Sequence, residues 1–388
     1  MTPASVADFR ELARRRLPPL LFDYIDGGAY AEATLAANVA DFGRVALRQR
    51  VMRDMSSLDL SVTSLGQDWG LPVGLSPVGM AGMYGRRGEV QAARAANAAG
   101  IPFCLSTVGV CSVEEVAKAA APPWFQLYMI RDRGYVRALL DRVRAAGCPV
   151  LVLTVDLPVP GARYRDLRSG LSGRPDLAGR LRRAWQGATH PAWLWDVWLH
   201  GRPHLFGNVS QAIPEARGVD DFWGWIGQNF DRTVTWADLD WVRRTWDRPI
   251  VVKGVLDPDD ARDAVRAGAD GIVVSNHGGR QLDSAFSSIR ALPRIVDAVG
   301  GELEVYLDGG VRSGLDVLKA LALGARACFV GRPWAYALGA GGGARLDRLL
   351  AMLRSELEAA MVLTGCTSVR GADGRLLEQL RADDHFVC

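Results

Sequence analysis

The sequence predicts an α/β chain folded as a (β/α)8 TIM barrel, and three observations carry that expectation. Short apolar runs recur eight times between residues 71 and 332, most of them followed by an amphipathic helical pattern. Most of the runs are continuously apolar, as strands are when both faces of a parallel sheet are covered. Eight such units occupy roughly 290 residues, which fits the ~250 usual for these barrels plus insertions. A doubly wound sheet would carry a Gly-rich fingerprint after its first strand. Here that strand ends in SPVGMAGMYG, which is not GxGxxG, and no GxxxxGK[ST] occurs.

Residues 1–45 read as helices ahead of the barrel, with Pro18 and Pro19 suited to a helix start and Gly27 and Gly28 to a helix end. The whole N-terminal helical segment is taken as 1–70. The first strand is LPVGLSPVG (71–79), with EVQAARAANAAG after it. IPFCLST (101–107) precedes SVEEVAKAA, WFQLYM (124–129) precedes YVRALLDRVRAAG, and PVLVLTVD (149–156) is the fourth strand. An insertion, 160–235, separates that strand from its helix, WADLDWVRRTW. The fifth strand is PIVVKGV (249–255), with PDDARDAVRAGA. GIVVSNH (271–277) leads to IRALPRIVDAVG, LEVYLDGG (303–310) to SGLDVLKALALGA, and RACFVGR (326–332) to a helical C-terminal region. GAGGGA (339–344) follows no strand and reads as a flexible loop. Segment 1–70 and barrel 71–388 together read as a single domain.

Composition narrows the function. A net charge of +3 is too small to argue for nucleic acid. The six cysteines are scattered without CxxC spacing, so reduced thiols and no metal site are expected. MTPASVADFRELARRR has no apolar h-region, so no secretory leader is expected, and no apolar run is long enough to span a membrane.

In barrel enzymes the chemistry sits at the C-terminal ends of the strands. Those ends carry Ser106 and Thr107; Gln126 and Tyr128; Thr154 and Asp156; Lys253; Ser275, Asn276 and His277; Asp308; and Arg332. A barrel built only for stability needs no such list. Asp308-Gly309-Gly310-Val311-Arg312 and Gly331-Arg332-Pro333, each before a helix, read as a phosphate site. Glycines let amides approach an anion, helix N-termini favour it and arginines neutralise it. Lys253 is either a Schiff-base nucleophile or a fixed charge facing an anionic ring; an ion pair with Asp156 or Asp308 fits both. His277 is the candidate acid/base, with Asp156 able to accept its other N–H. Arg280, three residues on, could hold a carboxylate in bidentate fashion.

SNHGGRQLD (275–283), with PIVVKG before it and YLDGGVRSG and FVGRP after it, resembles the FMN-dependent α-hydroxy acid dehydrogenases and oxidases. The resemblance covers nearly the whole chain and also shows in FDYIDGGA, SPVGMAGM, LSTVGVCSVEEV, WFQLY and LTVDLPVPGARYRD. It implies FMN as cofactor and a 2-hydroxy acid as substrate. His277 matches the base, Asp156 its partner, and Tyr128 the tyrosine near the substrate hydroxyl. Arg280 matches the carboxylate grip, assisted by Tyr24 and Arg163. Pro77, Val78, Gly79, Ser106, Gln126, Thr154, Lys253 and Ser275 match flavin contacts, and Asp308 the ribityl contact. Gly309, Gly310, Arg312, Gly331 and Arg332 match the phosphate end. The family's glycolate enzymes carry tryptophan where this chain has Val108, so a methyl-bearing acid is expected before glycolate.

The insertion, with GARYRDLRSGLSG and HPAWLWDVWLHGRPH, is most similar to the quinone-linked bacterial branch acting on L-lactate. That implies oxidation to pyruvate, quinone as acceptor, a peripheral place at the cytoplasmic side of the inner membrane, and a tetramer or larger homo-oligomer. Nine of the twelve tryptophans lie between Trp185 and Trp246, and seven arginines between Arg163 and Arg183. Such a mixture suits a membrane interface, or else a lid packed on the barrel. Other readings are oxidation of another acid such as mandelate, an oxidase using oxygen, a Schiff-base aldolase, and a barrel that only binds a phosphate ligand.

Overall fold

The computed structural model describes residues 2–171, 177–213, 215–216, 224–225 and 228–378. Arg174, Trp223 and Cys388 lie outside the described residues. Helix α1 (Val6–Arg16) opens on a capping box: Ser5 accepts from the Asp8 amide, and the Asp8 carboxylate accepts from the Ser5 amide. Helix α2 (Pro19–Asp26) has a proline in its first turn and gives way to Gly27, and α3 (Ala33–Ala40) follows.

The N-terminal segment is not helical to residue 70. It ends in an antiparallel hairpin of β1 (Val62–Ser64) and β2 (Gln67–Trp69). Trp69 packs against Trp124, Tyr306 and Phe329 at ring separations of 5.5–6.1 Å, and Ser64 hydrogen-bonds Glu304. Trp124 and Glu304 open their strands, so the hairpin plugs the N-terminal end of the barrel. The stretch VTSLGQDW mixes polar with apolar residues, so no strand stands out in it from sequence.

All eight predicted runs form strands. They are β3 (Val73–Leu75), β4 (Cys104–Ser106), β5 (Trp124–Tyr128), β6 (Leu151–Thr154), β7 (Ile250–Val255), β8 (Gly271–Val274), β9 (Glu304–Asp308) and β10 (Ala327–Val330). Every neighbouring pair is parallel, in the order β3-β10-β9-β8-β7-β6-β5-β4, and a Leu75–Phe103 bridge closes the ring. Two apolar cores result. One fills the barrel with side chains such as Val152, Val251, Tyr306 and Phe329; the other lies between strands and helices. This double burial explains the unbroken apolar runs. It also requires Gly74, where a Cβ would stand 2.5 Å from the Phe329 ring.

GAGGGA is not a loop. Helix Arg332–Gly341 ends inside it, Gly342 breaks the chain at φ +76°, and helix Gly343–Thr364 starts at once. A Cβ on Gly339 would come within 2.7 Å of Leu17, so glycine there lets this helix pack closely on α1. The insertion contains helices Tyr164–Ser169 and Leu177–Ala188 and a wide turn at Leu194–Leu199. No described helix is long and apolar enough to cross a membrane.

Candidate active site

The strand ends meet in one cavity, open on one side. Its wall includes Tyr24, Pro77, Val78, Gly79, Tyr128, Thr154, Arg163, Lys253, His277, Arg280, Asp308, Gly309, Gly310, Arg312, Gly331 and Arg332. Asp156, Ser106, Gln126 and Ser275 stand behind that wall, bonded to residues within it or to one another. Two strand-end candidates serve the scaffold instead. Thr107 donates to the Gln126 carbonyl at 2.6 Å, and Asn276 exchanges amide hydrogen bonds with Asn38 at 2.8 Å.

The loop after β8 explains its own sequence. His277, Gly278 and Gly279 take φ of +58°, +65° and +73°, three left-handed residues in succession. Glycine adopts this cheaply; histidine does not. A Cβ on Gly279 would stand 2.5 Å from the Leu35 amide nitrogen. The strained backbone turns His277 towards Asp156, whose Oδ1 lies 2.7 Å from His277 Nδ1. Gly254 makes room for that carboxylate: it sits at a bulge in the β7–β8 pairing with φ +110°, and a Cβ there would be 2.5 Å from Asp156 Cβ.

Burial pushes the His277 imidazole below its ordinary 6.5, against the opposing pull of Asp156, with Lys253 and Arg163 adding to the depression. His277 is therefore neutral at pH 7 and able to accept a proton. Its Nδ1 faces an Asp156 held below the ordinary carboxylate range by His277 and Lys253 despite burial, so Nε2 is the accepting atom. The expected pH profile of kcat/KM has an acid limb centred below 6.5. A limb centred above 7 in steady-state titrations would contradict this assignment.

Lys253 is buried, 3.0 Å from Asp308 Oδ2 and 2.9 Å from Ser275 Oγ. Burial alone would lower its pKa, but Asp308 and Asp156 outweigh burial and raise it. A permanently protonated amine is no Schiff-base nucleophile, so the geometry favours the fixed-charge reading. The other face of Asp308 leaves Oδ1 buried without a hydrogen-bond partner among the described residues.

Arg280 lies over the Tyr24 ring, 4.6 Å from its centroid, and donates to the carbonyls of Tyr24 and Gly27. Arg163 Nε donates to the Arg280 carbonyl at 3.3 Å. Among described residues neither arginine makes a carboxylate ion pair, and burial pushes the Arg163 pKa down. Two such cations at one wall suit an anionic ligand. The wall also includes Val108, Leu157 and Phe230, the last packed on Tyr128 at 4.9 Å between ring centres. Sequence reasoning missed Leu157 and Phe230; Phe230 comes from the end of the insertion, brought in by its bridge to Ile130 and its packing on Tyr128.

At the phosphate end the two predicted motifs differ. The helix after β9 (Gly314–Ala322) is capped internally: Ser313 accepts from the Asp316 amide and Glu356 from the Gly314 amide. Its N-terminus is spoken for, so an anion is left with the loop, not this helix. The helix Arg332–Gly341 has no side-chain cap, with Pro333 one residue inside it. Gly309 and Gly310 take φ of +94° and +90°, and a Cβ on Gly310 would collide with the Asn38 carbonyl. Burial lowers the pKa of Arg312, and that of Arg332 to about 10. Arg332 also donates to the carbonyls of Ile25, Gly27 and Gly278, tying α2 to the His277 loop. The residues fit a flavin mononucleotide. Buried cations and a glycine cradle form one end, and Gln126 Nε2, Thr154 Oγ1 and Asp308 Oδ1 are buried polar atoms without hydrogen-bond partners among the described residues.

Comparison with known proteins gives concordant findings. The family model described as FMN-dependent dehydrogenase matches residues 13–379. The chain is 56% identical over 378 residues to an L-lactate dehydrogenase of Alcaligenes faecalis, covering 97% of this chain and 99% of that one. It is 58% identical over 380 residues to an L-lactate dehydrogenase of Caulobacter vibrioides, covering 98% of each. Among solved structures, the monotopic membrane protein (S)-mandelate dehydrogenase aligns with a TM-score of 0.91 at 32% identity, covering 98% of this chain and 100% of that one. A mandelate oxidase aligns at 0.82 and 40% identity, covering 97% and 98%.

Proposed function

The chain belongs to the FMN-dependent dehydrogenases, with FMN as its cofactor, and on that premise we propose that it oxidises L-lactate to pyruvate and passes the electrons to a membrane quinone. The observation that carries the chemistry is the His277–Asp156 pair in the same cavity as Arg280 and Tyr24. The naming of relatives at 56% and 58% identity supports lactate.

In this reading Arg280 and Arg163 bind the substrate carboxylate and Tyr24 packs beneath Arg280. The carbinol then faces His277, whose Nε2 takes the hydroxyl proton while Asp156 stabilises the imidazolium. When bound, FMN supplies the acceptor for the two electrons and the hydrogen that leave the α-carbon. Thr154, Gln126, Ser106, Ser275, Asp308 and the backbone at Pro77–Gly79 hold the ring and ribityl chain. Lys253 places a permanent positive charge at that end of the cavity, and Gly309, Gly310, Arg312, Gly331 and Arg332 hold the phosphate. Tyr128, its hydroxyl kept protonated by burial, donates a hydrogen bond towards the substrate oxygen.

At Val108 the wall carries a small aliphatic side chain, and two solved relatives act on mandelate by name, so mandelate is the second substrate to measure. Turnover on L-lactate is expected to be much faster with a soluble quinone than with oxygen. Rapid turnover in air with stoichiometric hydrogen peroxide would instead make the protein an oxidase.

The insertion supports a peripheral place at the cytoplasmic face of the bacterial inner membrane. Leu177, Leu181 and Trp185 recur every four residues on one helix face and are 65–74% exposed, beside Arg180. Trp195 and Leu199 add to the apolar surface, whereas Trp193 and Trp246 are core. The monotopic relative supports the same reading. Wild type is expected to float with anionic liposomes, and the Leu177→Ser, Leu181→Ser, Trp185→Ser triple variant to lose most of that binding while keeping turnover with a soluble acceptor. Equal flotation of the two would remove this face from the contact. A tetramer or larger assembly belongs to the same proposal and is read by light scattering.

A further inference from the structure

The side chain that ties the two catalytic loops together is Gln281, which none of the roles above uses. Its amide Nε2 donates to the carbonyls of Asp156 at 2.8 Å and Val159 at 2.9 Å. Its Oε1 accepts from the Gly161 amide at 3.0 Å and from Arg163 Nη2 at 3.3 Å. Two donors and two acceptor positions are all that a glutamine amide has, and all four are used across one gap. Every partner lies in the loop after β6, while Gln281 itself follows Arg280 in the loop after β8. The loops approach so closely that a Cβ on Gly161 would stand 2.5 Å from the Arg280 carbonyl.

We propose that Gln281 is a positioning residue that locks Asp156 and Arg163 in register with His277 and Arg280, so that proton acceptor and carboxylate grip form one rigid unit. The inference rests on the function proposed above and deepens it. Asp156 lies two residues past the end of β6, and among the described residues the other side-chain ties from its loop (155–163) to the loop of Arg280 are the His277–Asp156 bond and the 3.3 Å bond from Arg163 Nε to the Arg280 carbonyl. Without the strap, those two bonds must carry the alignment. Displacements of about 1 Å at such groups cost on the order of 10²-fold in rate.

The choice of substitution separates the halves of the strap. Gln281→Met keeps the volume and removes all four hydrogen bonds. Gln281→Glu keeps the acceptor half, adding a charge beside Arg163, but turns two donors into oxygens facing two carbonyl oxygens. The His277 titration is set by burial, by Asp156 from the β6 loop, by Lys253 from β7 and by Arg163 from the insertion, while Tyr128 from β5 and Arg280 from its own loop line the same cavity. Of these Asp156 is the one that raises it, so loosening Asp156 must move the limb to lower pH.

The test is the pH profile of kcat and kcat/KM for the FMN-loaded protein, with FMN content measured alongside. Gln281→Met is expected to retain FMN, to lose roughly 10–100-fold in kcat/KM, and to shift its acid limb to lower pH. Gln281→Glu is expected to shift the same limb with a smaller rise in KM, because its contact with Arg163 survives. If both variants keep the wild-type limb and rate, or lose rate with no movement of the limb, the positioning role is overturned. A wild-type profile without any acid limb would instead strike at His277 as the base, and so at the proposed function itself. If Gln281→Met fails to fold, Gln281→Glu still decides, since its isosteric side chain preserves the packing.

Discussion

Replacing His277 with glutamine is expected to leave FMN bound and to lower turnover on L-lactate by roughly 10²–10⁴-fold. Among the described residues the imidazole is the one neutral base on the cavity wall: Lys253 is held protonated by Asp308 and Asp156, and Tyr128 is kept protonated by burial. Glutamine can fill the space and hydrogen-bond Asp156, but it cannot take up a proton. Retention of FMN follows from the wall, because the phosphate end and Lys253 lie on other strands. The left-handed backbone at position 277 adds a separate penalty for most residues, and asparagine tolerates it best. His277→Asn therefore serves as the partner variant. If both keep near wild-type turnover with intact flavin bands, His277 is not the base.

Exchanging Arg280 for lysine is expected to lower kcat/KM on L-lactate by roughly 10²-fold, with KM carrying much of the loss. A hydrogen bond to a charged group contributes about 1.5–3 kcal/mol, and a carboxylate gripped by a guanidinium receives two in parallel. Lysine offers a point charge and no fork. It also forfeits the Nη1 bonds to Tyr24 and Gly27 and the stacking on the Tyr24 ring, so two substrate contacts loosen together. Steady-state rates at saturating and limiting lactate separate the two effects. A kcat/KM within twofold of wild type would assign carboxylate binding to Arg163 instead.

Much of this architecture was legible because continuous apolar runs and strand-end polarity are local signals. Each of the eight strands could be read from a run of six to nine residues, and His277, Lys253 and Asp308 stand at ends those runs define. What was not legible depends on distant packing. Gln281 looks like a loop residue until the loop after β6 folds onto it from more than a hundred positions away. Phe230 enters the cavity from the end of the insertion, by a bridge to Ile130 and packing on Tyr128. The hairpin Val62–Trp69 mixes polar with apolar residues and owes its place to the barrel floor. GAGGGA misleads for the opposite reason: glycines that suggest a loop are needed where two helices crowd together. The motif before Gly314 keeps its glycines and Arg312 at the cavity wall, but Glu356, more than forty residues later, takes the Gly314 amide, so the helix after it adds less than the sequence suggests.

The central claim is that this cavity uses bound FMN to oxidise an L-2-hydroxy acid. The most direct measurement is the visible spectrum of the purified protein before and after anaerobic addition of L-lactate, with D-lactate as the control. The account predicts flavin bands that bleach with L-lactate and persist with D-lactate. Bands that persist with every L-2-hydroxy acid, or bleach equally with both enantiomers, would contradict it.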